Sequence, residues 1–277
     1  MKIIADSGST KTHWVIVSSN GEKKSLFSEG INPYFLDAHK IEEIVKACFK
    51  GVALKEVEEV HFYGAGCALP EKCTIVQKGL AKVFPKADIQ TNSDLLAAAH
   101  ALFGQGSGVA CILGTGSNAA VYDGNNFVDK IQSLGYLLGD EGSGSYIGKS
   151  LLQQYFRKEM PADLRAYFEA KYNLDTPEVL DRLYKKSFPN RYLASFTTFV
   201  SDYSQNDYIQ EIVRIAFRDF VKYQLSSLKI EDELKIGFVG SIAYYFQDIL
   251  KQELAKEGYS LSQILKEPIH NLVDYHL

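Results

Sequence analysis

Four short loops rich in glycine and hydroxyl side chains have the clearest chemical potential in this chain. They are "DSGSTKT" at 6–12, "LGTGSN" at 113–118, "GDEGSGSYIG" at 139–148 and "VGS" at 239–241. Glycine lets backbone amides approach an anion without an intervening side chain, so such loops can bind phosphate oxygens. One loop of this kind is equally well a tight hairpin with a polar tip. Four of them, each beside an apolar segment, favour a phosphate-binding site.

Acidic residues in or beside these loops suit phosphoryl transfer. Asp6 ends the first apolar run, where a carboxylate could hold a magnesium ion directly or through water. Asp94 opens an alanine-rich segment and could accept the proton of an attacking hydroxyl, although a helix N-cap fits the same position. Asp140 and Glu141 stand among glycines, either as a solvated turn or as acceptors for paired sugar hydroxyls. Both the chemical and the structural interpretations remain open at this level.

The elements that must position these loops follow two similar patterns. Near the start, "KIIAD", the first loop, "THWVIVSS" and a turn at Asn20-Gly21 predict antiparallel strands, followed by alternating helices and strands up to an alanine-rich helix. Residues 108–124 repeat the strand, loop, strand and turn design. Residues 142–228 are predicted to be mostly helical, and a final strand precedes Gly240. The pattern predicts an α/β protein with two similar domains that each contribute loops to one cleft.

Composition narrows the class of partner. The 277 residues are 46% hydrophobic and 23% charged, with a net charge of −4, so we expect a small-molecule partner rather than nucleic acid. Four cysteines follow no disulfide or zinc spacing and indicate reduced thiols. Met1 leads directly into a strand-like segment, and no run of eighteen apolar residues occurs. We therefore expect a cytoplasmic protein without a membrane partner.

Two familiar nucleotide motifs nearly fit and are disfavoured. "SGSYIGKS" at 143–150 would be a Walker A loop only if Ser143 were glycine and a buried strand preceded it. "GTGSNA" matches a dinucleotide loop, but that loop should open a helix, whereas "NAAVYDG" alternates like a strand. A hairpin is the better prediction there. No G-x-S-x-G or HExxH motif supports hydrolase chemistry.

Taken in order, six segments resemble the N-acetylglucosamine kinases of the BadF/BadG/BcrA/BcrD ATPase group, within the sugar kinase, heat-shock chaperone and actin superfamily. The segments are "DSGSTKT", "GINP", "TNSDLLAAA", "LGTGSN", "GDEGS" and "FVGS", which spread over nearly the whole chain. The resemblance implies two ribonuclease-H-like domains, at 1–105 and 106–277, with ATP and the sugar in the cleft between them. The second domain would contain a helical insertion, and the last helix could pack back on the first domain.

The resemblance also implies roles for particular residues. Asp6 would govern magnesium, and Asp94 would be the base that takes the proton of the sugar 6-hydroxyl. The phosphate loops would be formed by Ser7, Gly8, Ser9, Thr10 and Lys11 and by Gly114, Thr115 and Gly116, and the adenosine site by Gly240 and Ser241. The sugar would be bound by Asn32, Asp94, Ser117, Asn118, Asp140 and Glu141. The expected cofactors are ATP and Mg²⁺, the expected substrate is an amino sugar, and a homodimer is a further expectation.

The chain departs from the pattern where Leu134-Gly135-Tyr136 replaces a Trp-Gly step before "GDEGS", so the sugar stays open between N-acetylglucosamine, glucosamine, N-acetylmuramic acid and glucose. Two other functions remain as alternatives. One is an ATPase that activates an acyl-CoA dehydratase through an iron–sulfur cluster, for which Cys67 and Cys73 could be recruited. The other is a nucleotide- or sugar-sensing module without turnover.

Overall fold

The computed structural model describes residues 1–231 and 233–277 as an α/β protein with two five-stranded sheets. The strands are β1 (Lys2–Ser7), β2 (Lys11–Val17), β3 (Lys23–Glu29), β4 (Glu59–Gly64), β5 (Asp88–Ser93), β6 (Gly108–Leu113), β7 (Ser117–Tyr122), β8 (Phe127–Lys130), β9 (Ile236–Val239) and β10 (Leu261–Leu265). The helices are α1 (Ala38–Cys48), α2 (Pro70–Ala81), α3 (Asp94–Phe103), α4 (Gly135–Leu138), α5 (Gly144–Phe156), α6 (Ala162–Tyr172), α7 (Thr176–Tyr184), α8 (Pro189–Ser195), α9 (Thr197–Asp202), α10 (Asp207–Tyr223), α11 (Ser241–Tyr245), α12 (Gln247–Lys256) and α13 (Ile269–Tyr275).

The first sheet has the order β3-β2-β1-β4-β5. Its centre is β1, which pairs antiparallel with β2 and parallel with β4, so that Ala5 lies between Trp14 and Phe62. Its central strands are apolar because helices or further strands cover both faces. The predicted hairpin after β2 turns at Gly21, whose φ of 84° suits glycine.

The second sheet has the order β10-β9-β6-β7-β8. It repeats the order of the first sheet, with β8, β7, β6, β9 and β10 in the places of β3, β2, β1, β4 and β5. Here β6 occupies the place of β1, since it pairs antiparallel with β7 and parallel with β9. The "GTGSNA" segment is therefore a hairpin loop between β6 and β7, as the alternation of its residues predicts. The internal repeat seen in the sequence corresponds to a repeated sheet topology, as a pair of ribonuclease-H-like units requires.

Helices α4 to α10 lie between β8 and β9 in the chain and form the helical insertion. The longest of them, α10, buries Ile209, Val213, Phe217 and Phe220 on one face. These side chains belong to the same core as Val109 and Phe238 of the second sheet, so the insertion is packed on that sheet. No helix among the described residues is long and apolar enough to cross a membrane.

One element departs from the sequence prediction. The strand before Gly240 is not the last, because β10 pairs parallel with β9 at the edge of the second sheet. Its sequence, "LSQIL", has partly exposed side chains and lacks the continuous apolar run of a central strand, so the sequence pattern does not indicate a strand here. After β10, α13 packs Ile269, Leu272 and Val273 against the first sheet. The end of the chain thus links the two halves of the fold.

Candidate active site

A cavity of about 1120 Å³ lies between the loops of the two sheets. Fifteen of the seventeen site residues expected from the sequence line it: Asp6, Gly8, Ser9, Thr10, Lys11, Asn32, Asp94, Gly114, Thr115, Gly116, Ser117, Asn118, Asp140, Gly240 and Ser241. Ser7 and Glu141 do not. Residues that are up to 235 positions apart in sequence (241 − 6) are thus brought to one concave surface. Such a volume is slightly above the range of about 300–1000 Å³ that is typical of small-molecule and cofactor sites.

The first loop is a tight turn between β1 and β2. The Gly8 N–H donates to the Lys11 carbonyl at 3.0 Å, and the Gly30 N–H donates to the Thr10 carbonyl at 3.0 Å. A Cβ at Gly30 would collide with the Gly8 carbonyl oxygen, so glycine is required for this close approach. Ser7 lies beneath the loop. Its fully buried hydroxyl bonds with Thr12 Oγ1 at 2.7 Å and with the backbone of Ile31, and so it fixes the loop from below.

The second loop, at 114–118, is tied to two other glycine segments. Gly144 N–H donates to the Gly114 carbonyl at 2.8 Å, and Ser145 N–H donates to the Thr115 carbonyl at 3.1 Å, so the start of α5 holds the loop. Gly240 has a φ of 129°, and a Cβ there would collide with the Leu113 carbonyl oxygen. The three glycine loops of the second half therefore pack as one unit beside β6.

Asp94 is the first residue of α3, directly after the end of β5. The N-cap is Ser93, whose Oγ accepts from Leu96 N–H at 3.2 Å, while Asp94 Oδ1 accepts from the adjacent Leu95 N–H at 2.9 Å. The carboxyl lines the cavity, and burial raises its pKa to about 6. Since Ser93 already caps the helix, the Asp94 carboxylate is not needed as the cap and is available to a ligand in the cavity.

A charged group that the sequence analysis did not foresee lies beside the first loop. Glu267, just before α13, pairs with the Lys11 ammonium at 2.5 Å across 256 residues of sequence. Burial, together with the Asp94 and Glu267 carboxylates, raises the pKa of the neighbouring Asp6 to about 7, and the charge of Lys11 opposes this shift. No local motif points to Glu267, because only the return of the chain end to the first sheet brings it here.

Asp140 sits at the junction of the second and third loops. Its φ of 57° is unusual for a residue other than glycine, and its Oδ1 accepts from Ser117 N–H at 3.4 Å. A Cβ at Gly116 would lie 3.1 Å from its Oδ2, so glycine makes room for this carboxyl. Burial raises the pKa of Asp140 to about 6, although the Ser117 hydrogen bond opposes the shift.

Glu141 faces a smaller cavity of about 230 Å³ that adjoins the main one. Ser117, Asn118 and Asp140 line both cavities. The Glu141 carboxylate accepts from Gln224 Nε2 at 3.0 Å. Gln224 is a second residue that the sequence did not single out, because it lies in the helical insertion, far from any glycine loop.

Asn32, which follows β3, also lines the main cavity. Its Oδ1 accepts from Tyr34 N–H at 3.0 Å, and Gly66, with a φ of 83°, passes so close that a Cβ would lie 2.6 Å from that oxygen. The Arg191 guanidinium, in α8, donates to the Gly30 carbonyl at 3.3 Å. The helical insertion therefore contacts the segment that carries Asn32.

The fold and the cavity define a class of protein. Two sheets of the same strand order that face each other across a loop-lined cleft are the architecture of the actin-like ATPases, with two ribonuclease-H-like units. The sequence profile of the BadF/BadG/BcrA/BcrD ATPase family matches residues 5–269. The chain belongs to that family.

Solved structures of the same fold include several kinases. A candidate N-acetylglucosamine kinase from Porphyromonas gingivalis is 34% identical, with a TM-score of 0.92 over 100% of this chain and 98% of that one. A candidate N-acetylglucosamine kinase from Chromobacterium violaceum is 15% identical, with a TM-score of 0.74 over 100% and 98%. A ROK family glucokinase from Streptomyces griseus, in complex with glucose and AMPPNP, is 16% identical, with a TM-score of 0.60 over 99% and 97%. No curated protein sequence matches the chain.

Proposed function

We propose that this protein is an ATP-dependent kinase that phosphorylates an amino sugar, N-acetylglucosamine, at its 6-hydroxyl. The observation that carries the proposal is the placement of both hairpin loops and the Asp94 carboxyl on one cavity. The 34% identical candidate N-acetylglucosamine kinase supports the choice of sugar, and the ATPase family supports the choice of nucleotide.

In this proposal the nucleotide lies along the glycine loops. The backbone of Gly8 to Lys11 and of Gly114 to Gly116 binds phosphate oxygens, since amides in such loops meet no side chain in between. Gly240 and Ser241 lie against the adenosine. Ser7 supports the first loop from beneath rather than touching the phosphate, because its hydroxyl is fully buried.

The sugar lies between Asn32, Asp94, Ser117, Asn118 and Asp140, with Glu141 at the edge of the smaller cavity. The sugar O6 attacks the γ-phosphorus of ATP, an O–P bond forms, and the bond from that phosphorus to the β-phosphate oxygen of ADP breaks. The O6 proton passes to the Asp94 carboxylate. A pKa of about 6 leaves Asp94 mostly ionised at neutral pH yet basic enough to take the proton.

The residues present fit a magnesium ion at Asp6. A carboxylate whose pKa is raised by burial and by neighbouring acids gains from a nearby cation. No group of three His, Cys, Asp or Glu side chains able to hold a metal occurs in residues 1–231 and 233–277, which agrees with Mg²⁺ because that ion keeps several waters beside one or two carboxylates. When bound, the ion would neutralise the charge of the phosphates.

The remaining expectations belong to the same proposal. We place the domain boundary between residues 105 and 106, with α13 crossing back to pack on the first sheet. Closure of the two domains over bound sugar would exclude water and limit ATP hydrolysis. A cytoplasmic location and a homodimer complete it.

The test is ADP release from MgATP with N-acetylglucosamine, N-acetylmannosamine, glucosamine, N-acetylmuramic acid or glucose. Phosphate release without sugar is the background control. The analogue 6-deoxy-N-acetylglucosamine lacks the proposed acceptor hydroxyl and should compete with the sugar without being turned over. Strong turnover with N-acetylglucosamine and inhibition by the 6-deoxy analogue are the expected results.

Other outcomes have distinct meanings. Preference for another sugar would overturn the substrate but keep the kinase. ATP hydrolysis at a rate that no sugar changes would overturn the kinase function. Iron analysis of anaerobically purified protein would then test the alternative function as a dehydratase activator. Binding of ATP or sugar without any turnover would favour the sensing module.

A further inference from the structure

Gln224 connects the two loops that carry Ser117 and Glu141, although it belongs to neither. Its side chain is only 6% exposed, and its Nε2 donates to Ser117 Oγ at 2.8 Å and to Glu141 Oε2 at 3.0 Å. Both N–H groups of the amide are therefore used. A carboxylate oxygen can only accept, so the nitrogen of this amide must be the atom that faces Glu141.

The last turn of α10 is held firmly in this position. The Tyr146 hydroxyl, on α5, donates to Asp219 Oδ2 at 2.7 Å. One residue further along α10, Phe220 packs so tightly on Gly142 that a Cβ there would come within 2.9 Å. Gln224 caps the end of the helix, with its own N–H donating to the Phe220 carbonyl at 2.9 Å. The amide is thus presented to both loops by a rigid support.

The two hydrogen bonds decide which polar atoms remain for a ligand. Because Ser117 Oγ accepts from Gln224, its own O–H is free to point into the cavities that Ser117 lines. Because Glu141 Oε2 is occupied, its other oxygen remains as an acceptor. A hydroxyl donor and a carboxylate acceptor side by side suit a pair of sugar oxygens, one of which accepts while the other donates.

We propose that Gln224 is a positioning residue that fixes the donor and acceptor pattern of the sugar pocket through Ser117 and Glu141. The inference rests on the proposed sugar kinase function and assigns to the helical insertion a part in sugar selection. Gln224 acts through these two side chains, and among the described residues it makes no hydrogen bond to residues 8–11 or to residues 114–116.

The test compares Q224M and Q224E with the wild-type enzyme. Q224M keeps the size of the side chain and removes both donors, so we expect the KM for the sugar to rise about tenfold or more while the KM for ATP stays within about twofold. The matched control is Q210E on the same helix, about 21 Å away, where the amide donates to the Ser204 carbonyl at 3.0 Å. Its KM values should not change.

Q224E provides a readout that a merely structural role would not move. The new carboxyl faces the Glu141 carboxylate, and two carboxyls this close hold one proton between them more tightly than a lone carboxyl does. Once that proton is bound, the pair can form a hydrogen bond again. The ratio of the sugar KM of Q224E to that of the wild-type enzyme should therefore fall as the pH is lowered from 8 to 6, whereas the ratio for Q224M should stay constant.

The other titratable or charged groups around Glu141 are Asp140, Tyr146, Tyr223 and Lys149, with Asp219 bonded to Tyr146. They are present in all the variants, and the ratio for Q224M reports any contribution that they make. An unchanged sugar KM in a folded Q224M, or equal rises in the KM values for sugar and ATP, would overturn the inference. A pH-independent ratio for Q224E would do the same. If the wild-type chain phosphorylates no sugar, the proposed function fails first, and sugar binding measured by calorimetry then decides whether Gln224 still affects affinity.

Discussion

The cleft and the face of the first sheet that packs on α3 and α13 both hold clusters of titratable side chains. Burial shifts the pKa values of the two clusters in opposite directions. In the cleft, burial raises the pKa of Asp6 to about 7 and the pKa values of Asp94 and Asp140 to about 6. Under the sheet, burial lowers the pKa values of His100 and His276 to about 4. The same desolvation that favours protonated acids also favours unprotonated imidazoles.

In the histidine cluster, formed by His61, Tyr63, His100 and His276, the Tyr63 hydroxyl and the two rings that it contacts are bonded to one another, whereas the carboxyls of the cleft have few partners. The Tyr63 hydroxyl bonds with His100 Nδ1 and His276 Nε2, each at 2.9 Å, and His276 stacks on His61 with ring centroids 3.9 Å apart. These contacts attach the end of the chain to β4 and α3. The cleft instead keeps carboxylates together, which costs stability and leaves their oxygens for a ligand. Titratable groups that bond to one another thus indicate a structural role, and neighbouring buried carboxyls with few partners indicate a functional role.

The largest effect that would test this contrast is expected for D94N. Removal of the proposed base should lower kcat by about 10²–10⁴-fold, with sugar affinity largely retained. Because a raised pKa means that the ionised carboxylate is disfavoured in the fold, thermal stability should stay equal or rise. D88N, at the exposed start of β5, which leads into Asp94, is the control for kcat and melting temperature. Normal turnover by D94N would remove the base from the proposal.

Y63F, in the histidine cluster, is expected to lower stability and to leave activity unchanged. Loss of the hydroxyl leaves two ring nitrogens without their partner, and the free energy of unfolding should fall by about 1–3 kcal/mol. The KM values and kcat at low temperature should be unchanged, since the cluster lies outside the cavity. Y184F, whose side chain is 82% exposed, should change neither quantity. Urea unfolding and steady-state kinetics measure both. A stable but slow Y63F would connect the cluster to catalysis.

Acid should inactivate the enzyme through the cleft carboxylates. In the proposed mechanism, Asp94 takes a proton from the sugar and Asp140 accepts its hydrogen bonds as a carboxylate, and the pKa values of both groups are about 6. We expect kcat/KM for the sugar to be constant above pH 7 and to be at least about tenfold lower at pH 5. Initial rates at saturating MgATP and fixed ionic strength give this profile. A constant rate down to pH 5 would contradict the assignment of these two groups.

The smallest effect concerns the pH dependence of stability, with H276L as the probe. Because burial, together with the charges of His61, His100 and Lys2, lowers the pKa of His276 from 6.5 to about 4, its contribution is complete above pH 6.5 and declines as the pH falls towards 4. The melting temperature of the wild-type protein should exceed that of H276L at pH 7, and this difference should shrink by about 2–4 °C at pH 5. A difference that grows in acid would mean that His276 is charged in the fold.

Local features of the sequence were enough to predict most of the elements. Runs such as "KIIAD" and "GVACIL" are apolar because their strands are buried in a sheet, and the small loops after them are required by tight turns and close backbone contacts. Their repetition about a hundred residues apart predicted two similar sheets. Fifteen of the seventeen site residues predicted from these loops and acids line the cavity, since strand ends at the same edge of a sheet must lie together.

What only the tertiary structure decided involves contacts without a local pattern. The edge strand β10 has no distinctive periodicity, and its position depends on pairing with β9. Glu267 reaches Lys11 because α13 returns to the first sheet. Gln224 reaches Ser117 and Glu141 because α10 packs against α5 and Gly142. Ser7 ends β1 and Thr12 lies opposite it in β2, and this strand pairing brings their hydroxyls within hydrogen-bond distance. The sequence by itself determined which segments can turn tightly, and side-chain contacts between residues 83 to 256 positions apart decided which polar groups support them.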